Sequence, residues 1–102
     1  MKTPGKTYIG DRTIDGIQVT VNGKPLDPHA DLKSYSKNGF EWSYEGPEPR
    51  QLAFALLVDH LGDATRAAAL DEGFMREMVA NFANTWELTS ADIDAGLAVL
   101  AG

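Results

Sequence analysis

The chain has 102 residues, 43% hydrophobic and 24% charged, which is the balance of an ordinary globular domain and not of a disordered one. It contains no cysteine, which excludes disulfides, thiolate nucleophiles and sulfur-ligated zinc sites. The net charge is −6, and from residue 51 onward eight Asp or Glu stand against two Arg, so direct nucleic-acid binding is not expected.

Hydropathy along the chain indicates no targeting or membrane segment. Residues 1–6 lack the apolar run of a signal peptide, and the longest apolar stretch, residues 52–58, is too short to cross a bilayer. We therefore expect a cytoplasmic protein without membrane contact. A homo-oligomer is left open.

The first predicted elements are antiparallel strands. Tyr8 and Ile9 are β-formers, and residues 17–21 alternate apolar with polar side chains, as a half-buried strand does. Asn22-Gly23 follows as a tight-turn dipeptide, since both residues tolerate positive φ. Residues 24–26 are predicted to return as a short edge strand, with Pro25 at the margin of the sheet.

An aromatic strand is predicted next, after a polar connection. Residues 27–38 show no periodicity and are expected to form a mobile surface segment. The following Phe40, Trp42 and Tyr44 alternate with polar residues, so they are predicted to share one face of a strand that packs against the helices.

A buried helix is predicted after this strand. Pro47 and Pro49 prevent strand continuation, and a proline suits the first turn of a helix, so the helix is expected to begin near Pro49. Residues 52–61 are apolar almost all round, which is typical of a central helix, and Gly62 is predicted to end it.

Three further helices complete the prediction. Asp63 is expected to cap a short helix ending near Leu70, and Asp71 or Glu72 to open the next one. That helix carries an apolar stripe at helical spacing, formed by Phe74, Met75, Met78, Val79, Phe82 and Trp86. Thr89 and Asp92 match an acidic capping box that opens a final helix.

The order of elements predicts an α+β fold. About three antiparallel strands in the N-terminal half form a small sheet, and about four helices in the C-terminal half cover one face of it. No repeat or linker divides the chain, so residues 1–102 are predicted to form a single domain.

No residue set matches a known catalytic pattern. His29 lies in the polar connection and is interpreted as an exposed histidine, while His60 is interpreted as packed at a helix C-terminus, where positive charge is favoured. Neither has a second plausible ligand or nucleophile nearby in the sequence. A nucleophile elbow, a phosphate loop and a dinucleotide fingerprint are lacking too. We predict no catalytic residue, metal ligand or cofactor, and hence no enzyme.

The turn from residue 43 to residue 50 carries the most specific functional hypothesis. A glycine-containing loop that enters a helix can bind an anion, with Arg50 adding charge, but Glu45 and Glu48 would repel that anion and two prolines remove donors. The alternatives are a purely structural joint and a surface that contacts a partner. The candidate contacts for a partner or ligand are Glu41, Trp42, Tyr44, Glu45 and Arg50.

Several motifs resemble the domain-of-unknown-function family 6166 of small bacterial, archaeal and viral proteins. The resemblance rests on residues 8–12 (YIGDR), on residues 39–49 (GFEWSYEGPEP) and on residues 51–57 (QLAFALL). Where many relatives carry a Gly-Ser-Gly turn, this chain has Gly46-Pro47-Glu48. The resemblance implies no activity, substrate or cofactor. It implies a habitat on phages, proviruses and plasmids.

Two hypotheses for function follow. The first is a non-enzymatic protein-interaction module, for example a phage or mobile-element accessory protein that inhibits a host defence complex, of the anti-CRISPR type. Its partner is expected to be another protein. The alternative is a small anionic-ligand-binding or enzymatic domain that uses the turn before Pro49, which requires a concave pocket at that turn.

Overall fold

The computed structural model describes residues 5–101, which form a four-stranded sheet and three α-helices. In chain order these are β1 (Thr7–Thr13), β2 (Gly16–Val21), β3 (Lys24–Pro25), α1 (Pro47–Leu61), α2 (Ala64–Glu77), β4 (Trp86–Thr89) and α3 (Ser90–Ala101), with a 3₁₀ turn at Val79–Asn81. Residues 1–4 and residue 102 lie outside the described part, so the predicted single domain over 1–102 stays a prediction. Within residues 5–101, none of the helices has the length and apolar character needed to cross a bilayer.

The sheet is antiparallel throughout, with strand order β3-β2-β1-β4. Tyr8 lies opposite Leu88 of β4, and the side chains of both are buried against the helices. The next pair, Ile9 and Glu87, points to the other face and is exposed. The helices therefore cover one face of the sheet and leave the other open, which confirms the predicted α+β class.

The tight turn at Asn22-Gly23 is confirmed. Both residues have positive φ, 51° and 83°, as a two-residue hairpin turn requires, and the Asn22 side chain accepts a hydrogen bond from the Thr7 N–H at 2.9 Å. The short edge strand predicted to follow it is β3.

Helix α1 is the buried central helix that the sequence predicts. It begins at Pro47, two residues before the expected start, and every residue from Gln51 to Val58 is buried. Gly62 ends it with a left-handed φ of 69°, and its N–H donates to the Val58 carbonyl.

The predicted strand at residues 40–44 is wrong. The segment is irregular, because Ser43 has a φ of 77°, which no strand accommodates, and its N–H donates to the Val79 carbonyl instead of to a neighbouring strand. The three aromatic residues do not share a face. Trp42 is fully buried, Phe40 partly buried and Tyr44 exposed.

The helices after Gly62 differ from the prediction in number and limits. One helix, α2, runs from Ala64 to Glu77 without a break at Asp71, since the Asp71 carboxylate is buried against Arg50 and caps no helix. Trp86 lies in β4 instead of in a helical stripe. The sheet thus has four strands where about three were expected, and three α-helices with one 3₁₀ turn replace about four helices.

Two of the three helix caps predicted from acidic residues are present, those at Asp63 and at Thr89–Asp92. The Asp63 side chain accepts a hydrogen bond from the Arg66 N–H at 3.1 Å, which caps α2. At α3 the Asp92 carboxylate accepts from the Thr89 N–H at 2.9 Å, and the Thr89 hydroxyl accepts from the Asp92 N–H at 3.1 Å. This reciprocal pair is a capping box.

Candidate functional site

Arg12 ties the irregular loop that precedes α1 to the sheet. From β1, its guanidinium donates to Glu41 Oε1 at 2.7 and 3.2 Å and to the Trp42 carbonyl at 2.8 Å. It also lies 4.7 Å from the centroid of the Trp42 ring, within the range of a cation–π contact. One arginine therefore orients the Glu41-Trp42 pair that the sequence motif contains.

Trp42 packs in the core beneath this arginine. Its ring meets Trp86 of β4 edge to face, with centroids 5.7 Å apart, and Phe82 stacks on Trp86 at 4.5 Å. Gly10 leaves room for this cluster, because a Cβ on that residue would lie 2.2 Å from the Trp86 indole. The glycine and the arginine of the YIGDR motif thus serve the same packing arrangement.

The turn into α1 is held by short-range contacts. The Tyr44 ring lies against Gly46, where an added Cβ would approach it to 2.9 Å, and the Tyr44 hydroxyl donates to Glu48 at 3.0 Å. The helix N-terminus itself offers few donors, because Pro47 and Pro49 have no N–H and that of Arg50 donates to the Gly46 carbonyl. An anion site built on backbone N–H groups is therefore poorly supported.

A cleft of about 300 Å³ opens beside this turn. Its walls come from three parts of the chain, the 27–46 loop, the start of α1 and one side of α2. The lining residues are Tyr35, Gly46, Pro47, Arg50, Glu72, Met75 and Arg76. Tyr35, Pro47 and Met75 provide apolar surface, while the two arginines and Glu72 provide charge.

Beneath the cleft, a buried carboxylate fixes Arg50. Asp71 is fully buried in α2, and its Oδ1 accepts a hydrogen bond from Arg50 Nε at 2.9 Å. The Arg50 guanidinium also lies 4.2 Å from the centroid of the Tyr35 ring. Asp71 is therefore a paired buried charge that restrains the arginine.

Tyr35 shares this environment. Its hydroxyl is buried, and burial first, then the neighbouring Asp71 carboxylate, raise the pKa of Tyr35 to about 12. Both effects favour the neutral phenol. Tyr35 is thus an uncharged wall of the cleft across the physiological pH range.

The mouth of the cleft carries loosely paired charges. Glu72 lies 3.6 Å from Arg50 and 3.4 Å from Arg76 Nη2, and Glu45 lies 3.4 Å from Arg76 Nε. The side chains of Arg76, Glu72 and Glu45 are 57%, 49% and 61% exposed. Exposed pairs of this kind contribute at most about 1 kcal/mol each, so these side chains are free to rearrange.

Gln51 organises the loop that forms one wall. It is 1% exposed, and its amide donates to the carbonyls of Pro28 and Lys33 at 2.8 and 3.0 Å. Its carbonyl accepts from the N–H groups of Tyr35 and Ser36 at 2.6 and 3.4 Å. The segment predicted to be mobile is therefore anchored to α1, by a residue that the sequence analysis assigned to no site.

The structure separates the five candidate contact residues. Trp42 is 0% exposed, so its prediction as a surface contact is wrong, because the Trp86 cluster requires it in the core. Glu41 is paired with Arg12, while Tyr44 and Glu45 are exposed near the cleft and Arg50 lines it. Four cleft residues, Tyr35, Glu72, Met75 and Arg76, were not predicted, because no local motif connects them to residues 43–50.

Most acidic residues from position 51 onward cap helices or form ion pairs within the protein. Six of the eight cap helices or pair with Lys6, Arg50, Arg76 or His60, namely Asp59, Asp63, Asp71, Glu72, Asp92 and Asp94. Glu77 and Glu87 remain, both exposed. All of these acidic residues except Asp59 and Asp71 are nevertheless exposed, so the acidic excess lies at the protein surface.

His29 has close carboxylate neighbours that the sequence analysis did not consider. Ligand atoms of Asp27, His29 and Asp31 lie within 4.8 Å of one another. The Asp27 side chain already accepts a hydrogen bond from the His29 N–H at 2.8 Å, a local turn contact that explains the proximity.

Comparison with known proteins identifies the family and nothing narrower. No curated protein and no solved structure matches the chain. The sequence model of a family of unknown function, DUF6166, matches residues 8–99, a span that contains the Arg12 contact, the Trp42 cluster and the cleft. The chain belongs to the DUF6166 family.

Proposed function

We propose that this chain is a small, non-enzymatic protein-interaction module whose contact surface centres on the cleft between the 27–46 loop, α1 and α2. The observation that carries the proposal is the lining of this cleft. An aromatic ring, a methionine and two arginines converge there, from Tyr35, Met75, Arg50 and Arg76. Exposed Tyr44 lies beside it, on the adjoining turn.

The composition and size of the cleft support a protein partner. Tyr, Arg and Met are enriched at protein interfaces, and buried Tyr and Arg dominate binding energy. A volume of about 300 Å³ is at the lower limit of small-molecule pockets and suits a single partner side chain.

A non-enzymatic role is supported by how the polar groups near the cleft are used. Arg50, Asp71, Glu72 and Arg76 form ion pairs with one another. The Ser36 hydroxyl donates to Glu48 at 3.0 Å. Ser36 and Glu48 do not line the cleft, whose own charged side chains are engaged in ion pairs instead of forming a nucleophile beside a general base.

One concrete form of this proposal is an accessory protein of a phage or mobile element that inhibits a host defence complex, of the anti-CRISPR type. Its support is the habitat implied by the family together with the small size of the chain. The proposal sets its action in the cytoplasm, in keeping with a composition that has no cysteine.

A second candidate is a small-ligand-binding domain that uses the same cleft. The position of the cleft favours this candidate. A ligand-binding domain of this kind requires a concave pocket at the turn before Pro49, and the cleft is lined there by Gly46, Pro47 and Arg50. Thermal-shift screening with acidic metabolites separates it from the first candidate, because a ligand that binds the folded state raises the melting temperature.

Affinity capture from the natural host tests the interaction proposal. The wild-type chain is immobilised beside Arg76→Ala, which removes an exposed cleft residue, and Arg66→Ala, which removes an exposed arginine elsewhere on α2. We expect Arg76→Ala to lose a protein that wild type and Arg66→Ala both retain. If all three chains recover the protein equally, the contact lies outside the cleft. If none of the three chains captures a specific protein, the proposed interaction function is rejected.

A further inference from the structure

Arg50 lines the cleft and is held there by contacts on two sides. Nε donates to buried Asp71, and the plane of the guanidinium is restrained by the Tyr35 ring at 4.2 Å. Among residues 5–101, the only other carboxylate within ion-pair distance of this guanidinium is Glu72, at 3.6 Å from Nη1. A donor group is therefore preorganised and only weakly used.

Glu72 occupies the space between this arginine and a second one. Its Oε2 lies 3.6 Å from Arg50 and its Oε1 lies 3.4 Å from Arg76. Both distances exceed those of charge-assisted hydrogen bonds, which are about 2.7–2.9 Å. The Glu72 side chain is also 49% exposed, so it can leave this position at little cost.

We propose that Glu72 stands in for a carboxylate of the partner, so that the cleft binds an acidic side chain between Arg50 and Arg76. This inference rests on the proposed interaction function and names the chemistry of the group recognised. A carboxylate that is not attached to α2 can approach both guanidinium groups to hydrogen-bond distance, whereas Glu72 stays 3.6 and 3.4 Å from them. Tyr35, Pro47 and Met75 enclose the aliphatic part of that side chain.

The negative net charge of the chain means that the cleft can attract an acidic partner only at short range. The chain has a net charge of −6, which opposes long-range attraction of an acidic partner. Affinity then depends on direct contact between the partner carboxylate and the two arginines. A planar carboxylate can accept two hydrogen bonds from a planar guanidinium, so its shape adds to the attraction between the charges. An ammonium group would instead be drawn to Glu45 and Glu72, which makes it the informative opposite probe.

The test is a titration of the chain with three small probes, followed through the Nε–Hε signals of arginine. The probes are the Nα-acetyl, N-methylamide derivatives of glutamate, glutamine and lysine. The chain has four arginines, so Arg12 and Arg66 act as internal references for Arg50 and Arg76. We expect saturable shifts of Arg50 and Arg76 with the glutamate probe only.

Two variants make the result specific to Glu72. Glu72→Gln removes the competing carboxylate and is expected to tighten binding of the glutamate probe roughly two- to five-fold, the range set by an exposed ion pair. Glu77→Gln removes the same charge from an exposed neighbour on α2 and is expected to leave affinity unchanged within about 1.5-fold. Both variants alter exposed side chains, so both are expected to fold.

Three outcomes overturn the inference. They are equal shifts with the glutamine probe, shifts with the lysine probe alone, and equal affinity in Glu72→Gln and Glu77→Gln. Because the probes need no partner, the outcome is independent of the capture experiment. If the glutamate probe binds but no protein is captured, the interaction function is rejected and the carboxylate site is kept. If a protein is captured but the glutamate probe does not bind, the carboxylate site is rejected and the interaction function is kept.

Discussion

Among the described glycines, Gly10 is the one at which an added Cβ would meet its neighbours most closely. An added Cβ would lie 2.2 to 2.5 Å from three atoms of the Trp86 indole. Real Cβ atoms do not approach other atoms so closely, so β1, β4 or the indole would have to move. The core cluster of Trp42, Trp86 and Phe82 would then lose its packing.

Gly10→Ala is therefore predicted to destabilise the fold by about 2 kcal/mol or more, in the range of overpacked core substitutions. Gly5→Ala is the matched control, because a Cβ there would meet Ser90 at an ordinary 3.7 Å. Urea unfolding followed by tryptophan fluorescence measures both. A change below about 0.5 kcal/mol in Gly10→Ala would contradict the packing described for Trp86.

Tyr35 gives a residue-scale prediction for alkaline pH. Its pKa is raised from 10.0 to about 12 in the folded chain, so the unfolded chain loses the phenol proton first. Stability from this group is complete below pH 10 and is lost as the pH rises from 10 to about 12.

Tyr35→Phe should reduce this loss of stability at alkaline pH. Burial also raises the pKa of Tyr8, so the loss of stability due to Tyr8 should persist in the variant. Urea midpoints between pH 8 and pH 12 measure the effect, and the ring-carbon NMR signal of Tyr35 gives the ionisation directly. An ordinary tyrosine titration near pH 10 would show that Tyr35 is not buried beside Asp71.

At the scale of elements, the loop before α1 depends on Gln51 for its conformation. The Gln51 side chain satisfies two carbonyls and two N–H groups of residues 28–36, a segment that contains no helix or strand. This loop contributes Tyr35 to the cleft. Gln51 thus connects the helix to the geometry of the site.

Gln51→Ala is predicted to cost about 2 kcal/mol or more, because buried polar groups of the loop lose their partners. The amides of Tyr35 and Ser36 should exchange faster with solvent, and Gln18→Ala, on the open face of the sheet, should change neither property. Hydrogen exchange measured by NMR reports both amides. Unaltered exchange in Gln51→Ala would mean that the loop is held by other contacts.

Elements with local signals could be predicted from the sequence, while the others could not. The Asn22-Gly23 turn, the Gly62 helix end and the Thr89–Asp92 capping box depend on residues within a few positions of each other. The loop at residues 40–44 alternates like a strand, yet its shape is set by Arg12 and Val79, about 30 or more residues away. A strand pattern alone cannot reveal such distant contacts.

The same distinction applies to the candidate site. Arg50 belongs to the motif at the turn and is predicted from it. Its partners Asp71 and Glu72 are the alternative helix starts of the prediction, because capping is a common role of acidic residues. Tyr35, Met75 and Arg76 come from two other segments and meet Arg50 only in the folded chain. The sequence therefore predicts where the site lies along the chain, but it does not predict all the residues that line the site.

At the scale of the whole molecule, the cleft and the open face of the sheet are two of the surfaces available for contact. The open face presents mostly polar residues and partly exposed Ile9. The cleft is concave and combines apolar and charged groups. Glu45 at the cleft mouth and Glu87 on the open face are both exposed glutamates, which makes them a matched pair of positions for a probe.

The most direct test of the interaction function is photo-crosslinking in the natural host from a photoreactive residue at position 45 or at position 87. Our account predicts that the probe at position 45 forms a discrete protein adduct and that the probe at position 87 does not. Adding Arg76→Ala to the first chain should abolish the adduct. Adducts of equal yield from both positions, or an adduct from position 87 alone, would contradict the cleft as the contact surface.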